Sequence, residues 1–243
     1  MSDDLNNLMK LKYPDKEWKT FTHTPLLQQM PEVYTETINK NRFYVTPEGN
    51  KYPSITTVLS GRAKEGINAW RERVGEAAAN RIMRAASSRG TAVHELAENY
   101  LNNEELKNQE VLPLFMFTQL KSELDNINNI VMQEGGLYSD NWGIAGRVDC
   151  IADYDGKLTV IDFKTSTKVK KEEWIENYFI QCTAYCEMYE ERYGQAIDQI
   201  AILIVCEDGT IQTFVKDKKD YVPLLQPAID EFWSEQDSQP NSH

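Results

Sequence analysis

GRVDCIADYDGKLTVIDFKTS, residues 146–166, holds two apolar runs joined by Asp155-Gly156. That dipeptide suits a two-residue type I′ hairpin turn, in which both central residues need positive φ. The turn sets Tyr154 opposite Lys157, and so Ile151 opposite Val160 and Asp149 opposite Asp162. Counted from the turn, the two aspartates fall at a non-hydrogen-bonded pair, where Cα atoms come to about 4.5 Å. Lys164, two residues after Asp162, projects from the same face. Two carboxylates so placed repel by about 4 kcal/mol at an effective dielectric of about 20, a large fraction of a domain's stability. A divalent cation bound by both would neutralise them and leave the lysine free to act on a water or phosphate. The alternative is a pair of solvated strand ends at a sheet edge. Ile151, Val160, Ile161 and Phe163 argue for burial instead, and like charges directly opposite are disfavoured.

The rest of the chain gives this hairpin room to sit in a core. With 243 residues, 41% of them hydrophobic, it can bury one sizeable core. No apolar run reaches membrane-spanning length. The start, MSDDLNNLMK, has neither a secretory apolar region nor the Arg-rich character of a transit peptide, so a cytoplasmic protein is expected. Cys150, Cys182, Cys186 and Cys206 show no metal-binding spacing and read as buried, reduced thiols. The net charge of −12 argues against loose adsorption to nucleic acid, but not against a local binding channel. Residues 61–89 carry seven basic side chains against three acids, a local +4, with Trp70 among them.

Residues 1–40 are polar and aperiodic and predict a loosely packed arm. Residues 41–53 predict a hairpin around Pro47-Glu48-Gly49, with Ser54 as the N-cap of a helix over ITTVLS. One helix is expected over 65–86, a break at SSRGT, then a second helix over AVHELAENYL. Another helix is expected over 111–134, stopped by Gly135-Gly136. A short strand at 137–139 and the hairpin of 144–154 and 157–165 follow. A helix over 171–193, strands at QIAILIVC and TIQTFVK, and a helix over 218–235 complete a domain of 41–235, divided into 41–136 and 137–235. Residues 236–243 read as a disordered tail. The order implies an α/β fold, a mixed sheet flanked by helices.

Asp149, a strand turn, then Asp162-Phe163-Lys164 resembles the D…(D/E)xK signature of the PD-(D/E)XK nuclease superfamily. Further features resemble its RecB-like members: Arg89-Gly90-Thr91 leading to His94, with Glu98 a turn beyond; Gly146-Arg147-Val148-Asp149; and Gln181 with Tyr185 as a Q-x-x-x-Y pair. YPSITTVLS followed by Trp70, Arg71 and the RGT-x-x-H helix is most similar to single-domain exonucleases related to mitochondrial genome maintenance exonuclease, including bacteriophage versions. The resemblance covers residues 50–205. It implies a restriction-endonuclease-like core with an N-terminal helical arch. It also implies a Mg²⁺-dependent exonuclease on single-stranded DNA with a free end, in replication, repair, recombination or phage DNA metabolism, in a bacterial cell or a phage-infected host. A structure-selective endonuclease and a catalytically inactive DNA-binding accessory protein are the other readings. Replication or recombination proteins are further partners to consider. Some relatives hold an iron-sulfur cluster on four cysteines; the required group of three near the C-terminus is missing here, so no cluster is expected.

The resemblance assigns roles residue by residue. Asp149, Asp162, His94 and the Phe163 backbone carbonyl would hold Mg²⁺, with Mn²⁺ tolerated because of the imidazole. Lys164 would orient the attacking water or stabilise charge on the phosphate; otherwise it is a lysine paired with Asp162. Glu98 could receive a metal-bound water or a second ion, or be a solvated helix acid. Gln181 and Tyr185 would sit at the active centre, or simply pack helix against sheet. Read from local charge and position, Trp70, Arg71, Arg89, Arg147 and Lys168 are the expected DNA contacts, cations tracking phosphates and a ring stacking bases; the alternatives are a solvated helix of mixed charge over 61–89 and lysines that only solubilise the start of the next helix.

Overall fold

The structure, a computed structural model, describes residues 18–26, 32–107 and 110–238. Three short strands, β1 (Tyr34–Ile38), β2 (Asn41–Val45) and β3 (Lys51–Pro53), form a small antiparallel sheet. It hands the chain to α1 (Ile55–Ser60), which Ser54 caps by accepting from the Thr57 N–H at 3.1 Å. Two helices follow, α2 (Lys64–Val74) and α3 (Glu76–Leu101), then α4 (Val111–Leu124). The main sheet has five strands in sequence order: β4 (Ile127–Ser139), β5 (Ile144–Tyr154), β6 (Lys157–Ser166), β7 (Gln199–Cys206) and β8 (Ile211–Asp217). All neighbours are antiparallel except β6 and β7, which are parallel and joined through α5 (Glu176–Tyr193). The described chain closes with α6 (Val222–Asp237).

The sheet is covered on both faces. Ile151, Val160, Ile200, Ile202 and Ile204 pack with α1, α5 and α6, while Cys150, Ala152, Ile161, Leu203 and Val205 pack with α4 and the C-terminal half of α3. Alternate strand residues supply the two cores, as the strand period of two requires. All four cysteines are free and buried. No helix among the described residues is long and apolar enough to cross a membrane.

The hairpin forms as its turn demands, with φ of 51° at Asp155 and 77° at Gly156. Pairing runs from Tyr154↔Lys157 through Ile151↔Val160 to Cys150↔Ile161. It stops one step short of the aspartates, so Asp149 and Asp162 are not ladder partners. Instead the Asp149 carboxylate enters the gap and accepts the Phe163 N–H at 2.9 Å.

Several expected boundaries differ. The helical break is at Gly75, whose φ of 84° and ψ of 144° suit only glycine, and α3 runs unbroken through SSRGT. Gly90 is tolerated inside α3, at about 1 kcal/mol relative to alanine, and there the helix passes close to Thr165 of β6. The helix expected over 111–134 ends at Leu124, and residues from Ile127 onward form β4. Between Asn128 and Met132 the β4 register shifts against β5. That irregularity breaks the apolar alternation and leaves Ile127 and Ile130 three apart, a spacing that imitates a helix. Gly135 and Gly136 lie within the strand, close against the Met132 and Val33 side chains. The helices expected to start at 171 and 218 start at Glu176 and Val222, each after one 3₁₀ turn.

The arm is not loose where it is described. Phe21 is buried against Tyr100, the Ile130 N–H donates to the Thr22 carbonyl at 2.8 Å, and the Thr24 N–H donates to the Ile130 carbonyl at 2.7 Å. Residues 34–38 are strand β1. The parts of the expected arm at 1–17 and 27–31, and of the expected tail at 239–243, lie outside the described residues.

Candidate active site

Side chains from α3, β4, β5, β6 and α5 meet in an open cleft of about 460 Å³ where the β5–β6 ladder ends. His94 and Glu98, one turn apart on α3, line it, as do Glu134 of β4, Arg147 and Asp149 of β5, Lys164 of β6, and Gln181 and Tyr185 of α5. His94 Nδ1 lies 3.6 Å from Asp149 Oδ2. One ligand atom each from His94, Glu134 and Asp149 lies within 4.8 Å of the other two. Two carboxylates and one imidazole converging at that separation form a donor set for a divalent cation such as Mg²⁺ or Mn²⁺.

Electrostatics at the cleft point the same way. Glu134 is pushed up to about 7, first by burial, then by the charges of Asp149 and Glu98, against the opposing pull of His94 and Arg147. Burial is the larger cause, and the added repulsion from Asp149 and Glu98 is what a bound cation would relieve.

Asp162 sits behind this surface, only 1% exposed. Its Oδ1 accepts from Gln181 Nε2 at 3.0 Å, and its Oδ2 is in contact with the Lys164 ammonium. Gln181 also donates to the Tyr185 hydroxyl at 3.3 Å. Burial raises the Asp162 carboxyl above the usual range, opposed by Lys164 and reinforced by Asp149. Burial works to lower Lys164, but the Asp162 and Asp149 carboxylates outweigh it and hold the ammonium above its ordinary value. Lys164 is therefore a cation at neutral pH. Burial likewise keeps the Tyr185 phenol protonated.

The expected residues divide sharply by position. His94, Glu98, Arg147, Asp149, Lys164, Gln181 and Tyr185 come together, with Asp162 directly behind. Phe163 contributes its N–H to Asp149, and its ring stands edge-on to the His94 imidazole at 6.2 Å. The other expected DNA contacts do not line the cleft. Arg89 is tied to Glu207, with its side chain only 10% exposed. Arg71 binds Glu76 at 2.5 Å and Asn80 at 2.6 Å. Trp70 lies on α2 and does not line the cleft, and Lys168 is exposed just beyond the end of β6.

Arg42, Thr56, Glu95 and Glu134 also line the cleft and escape the sequence. The expected helix over 111–134 hid Glu134 at its end. Arg42 of β2 lines the opening, donating to Thr56 at 2.8 Å. The signal for Glu134 was the acid beside a Gly-Gly pair, informative only once the segment is known to be a strand.

Residues 108–239 match the family model of the PD-(D/E)XK nuclease superfamily, and the chain belongs to that superfamily. Among curated proteins it is similar to mitochondrial genome maintenance exonuclease 1 of Homo sapiens, 25% identical over 177 residues, which is 66% of this chain and 51% of that protein. The Mus musculus protein of the same name is 26% identical over 176 residues, 66% of this chain and 52% of its own length. The chain thus spans about half the length of these curated relatives. A solved structure of a candidate exonuclease from Eubacterium rectale overlaps 64% of this chain and 69% of its own, with a TM-score of 0.45 and 11% identity.

Proposed function

We propose that this protein is a Mg²⁺-dependent DNA exonuclease that hydrolyses phosphodiester bonds and prefers a single strand with a free end. The observation that carries the reading is the meeting of His94, Glu134 and Asp149 beside the Lys164 ammonium in one open cleft. His94, Glu134 and Asp149 would hold the ion, with Asp162 and the Phe163 carbonyl as further oxygen donors. A bound Mg²⁺ supplies Lewis acidity to the scissile phosphate and acidifies water.

The chain's own groups would do the rest. Lys164, held protonated by Asp162, acts as a hydrogen-bond donor toward a phosphate oxygen or the attacking water, not as a base. Gln181 fixes the Asp162 carboxylate, and Tyr185 fixes Gln181, so the lysine's partner cannot rotate away. Arg42, exposed at the cleft mouth, is placed to meet a backbone phosphate. The α2–α3 hairpin stands off the sheet, with Ala79 as its sole buried residue between 64 and 91 among the described residues. Its arginines and Trp70 suit a passing single strand better than the cleft itself. Residues 41–235 would act as one nuclease unit in DNA replication, repair, recombination or phage DNA metabolism.

End-labelled linear single-stranded DNA, a circular strand and a duplex, each with Mg²⁺ or EDTA, test the reading. Wild type should degrade the linear strand alone and only with Mg²⁺, and Lys164→Ala should lower that rate at least 100-fold. Cutting of the circle would make the enzyme an endonuclease. Three intact substrates with Mg²⁺ and with Mn²⁺ would refute hydrolysis altogether.

A further inference from the structure

Glu134 has the least comfortable backbone in the cleft. Its φ is 45°, in the left-handed region that costs a non-glycine residue about 1–2 kcal/mol. It adopts this inside a paired strand, for Gln133↔Cys150 and Gly135↔Val148 keep one register on either side of it. An outlier of this kind persists only where the surroundings hold it. At this residue Arg147 Nη1 donates a hydrogen bond to the Glu134 carbonyl oxygen, at 2.9 Å. Arg147 lies two residues before Asp149, so one strand segment carries both a cluster carboxylate and the group that grips the neighbouring strand.

We propose that Arg147 is a positioning residue for the metal-binding cluster: by holding the Glu134 carbonyl it clamps the left-handed kink of β4 that directs the Glu134 carboxylate toward His94 and Asp149. The inference rests on the metal-dependent reading above, and it gives the arginine of Gly146-Arg147-Val148-Asp149 a task other than touching DNA. Its sign separates it from plain electrostatics. A cation beside a cation site repels the ion, so by charge alone the loss of Arg147 would tighten metal binding. Loss of a group that orients a ligand weakens it, typically about 10- to 100-fold.

Titration of the full-length chain with Mn²⁺, read by the electron paramagnetic resonance of the free ion and without DNA, tests this directly. Arg147→Ala should weaken Mn²⁺ about 10-fold or more. Arg147→Lys should recover part of the loss, since an ammonium can still donate to the carbonyl. Added to Glu134→Gln, Arg147→Ala should cause no further weakening, because both act through one carboxylate. Melting curves in EDTA check that each variant is folded, and should Arg147→Ala be unfolded, Arg147→Lys alone must still show weaker Mn²⁺ binding. Unchanged or tighter Mn²⁺ binding in Arg147→Ala, with weaker binding of a single-stranded oligonucleotide in EDTA, would overturn the inference and make Arg147 a phosphate contact. Wild-type protein that binds no Mn²⁺ would overturn the metal-dependent reading itself, and this inference with it.

Discussion

Gly146 shows how little space the inner layer of the site leaves. A Cβ at that position would lie 2.6 Å from Tyr185 Cε1 and 3.2 Å from its hydroxyl. Gly146→Ala should therefore push Tyr185 off Gln181 and release the Asp162 carboxylate that Lys164 depends on. Overpacking of this kind costs about 1–3 kcal/mol, which urea unfolding would read, together with slower hydrolysis. Unchanged stability and full activity would mean that Tyr185 moves aside freely and takes no part in holding Gln181. The glycine is plain in the sequence as part of a motif. Its reason is a contact with a side chain 39 positions away.

At the scale of elements, the end of β4 is fastened to α5 through charge. Arg192 meets Asp140 at 2.8 Å and Glu191 at 2.7 Å, and Glu191 also accepts from Ser139 and from the Asp140 N–H. The Tyr52 hydroxyl, with Arg192, holds Asp140 below the usual carboxylate range. Burial would raise Glu191, but the Ser139 hydroxyl and Arg192 together bring it below that range too. A carboxylate whose folded value is depressed stabilises the fold above its unfolded value, about 4, and ceases to as pH falls through the folded value. Arg192→Met should thus melt lower than wild type at pH 7, by about 2–4 °C for each kcal/mol lost. The gap should close as pH falls from about 5 to about 3. A gap constant across that range would show that the arginine acts by packing over the Tyr138 ring, 4.3 Å away, and not by charge.

For the whole molecule, an acidic protein of net charge −12 must approach a polyanion through a local basic surface. Arg73, Arg81 and Arg84 are exposed on the α2–α3 hairpin, and Arg89 and Arg71 are already engaged by acids. If the hairpin carries the strand, replacing those three exposed arginines by glutamine should reduce the salt dependence of oligonucleotide binding. Each lost phosphate contact removes about 0.7 from the slope of log K against log salt, so a change of about 2 is expected. An unaltered slope would place the strand elsewhere, at Arg42 and the cleft mouth.

What the sequence determined by itself was the local chemistry: the Asp155-Gly156 turn and the register it imposes, the Ser54 cap, and the alternation that marks β5 and β6. Within single elements the motif spacings also fix which side chains share a face, His94 with Glu98 on α3 and Gln181 with Tyr185 on α5. Tertiary structure alone decided which helices run on and which segments are strands. SSRGT reads as a break, yet α3 continues through it past Thr165 of β6, and its one glycine costs a 26-residue helix only about 1 kcal/mol. Residues 127–134 imitate a helix because an irregular strand loses its period of two, and only pairing with β5 shows the strand. Glu134 enters the cluster, and Arg89 leaves the surface for Glu207, for the same reason: each is placed by partners distant in sequence, and no local pattern encodes a partner.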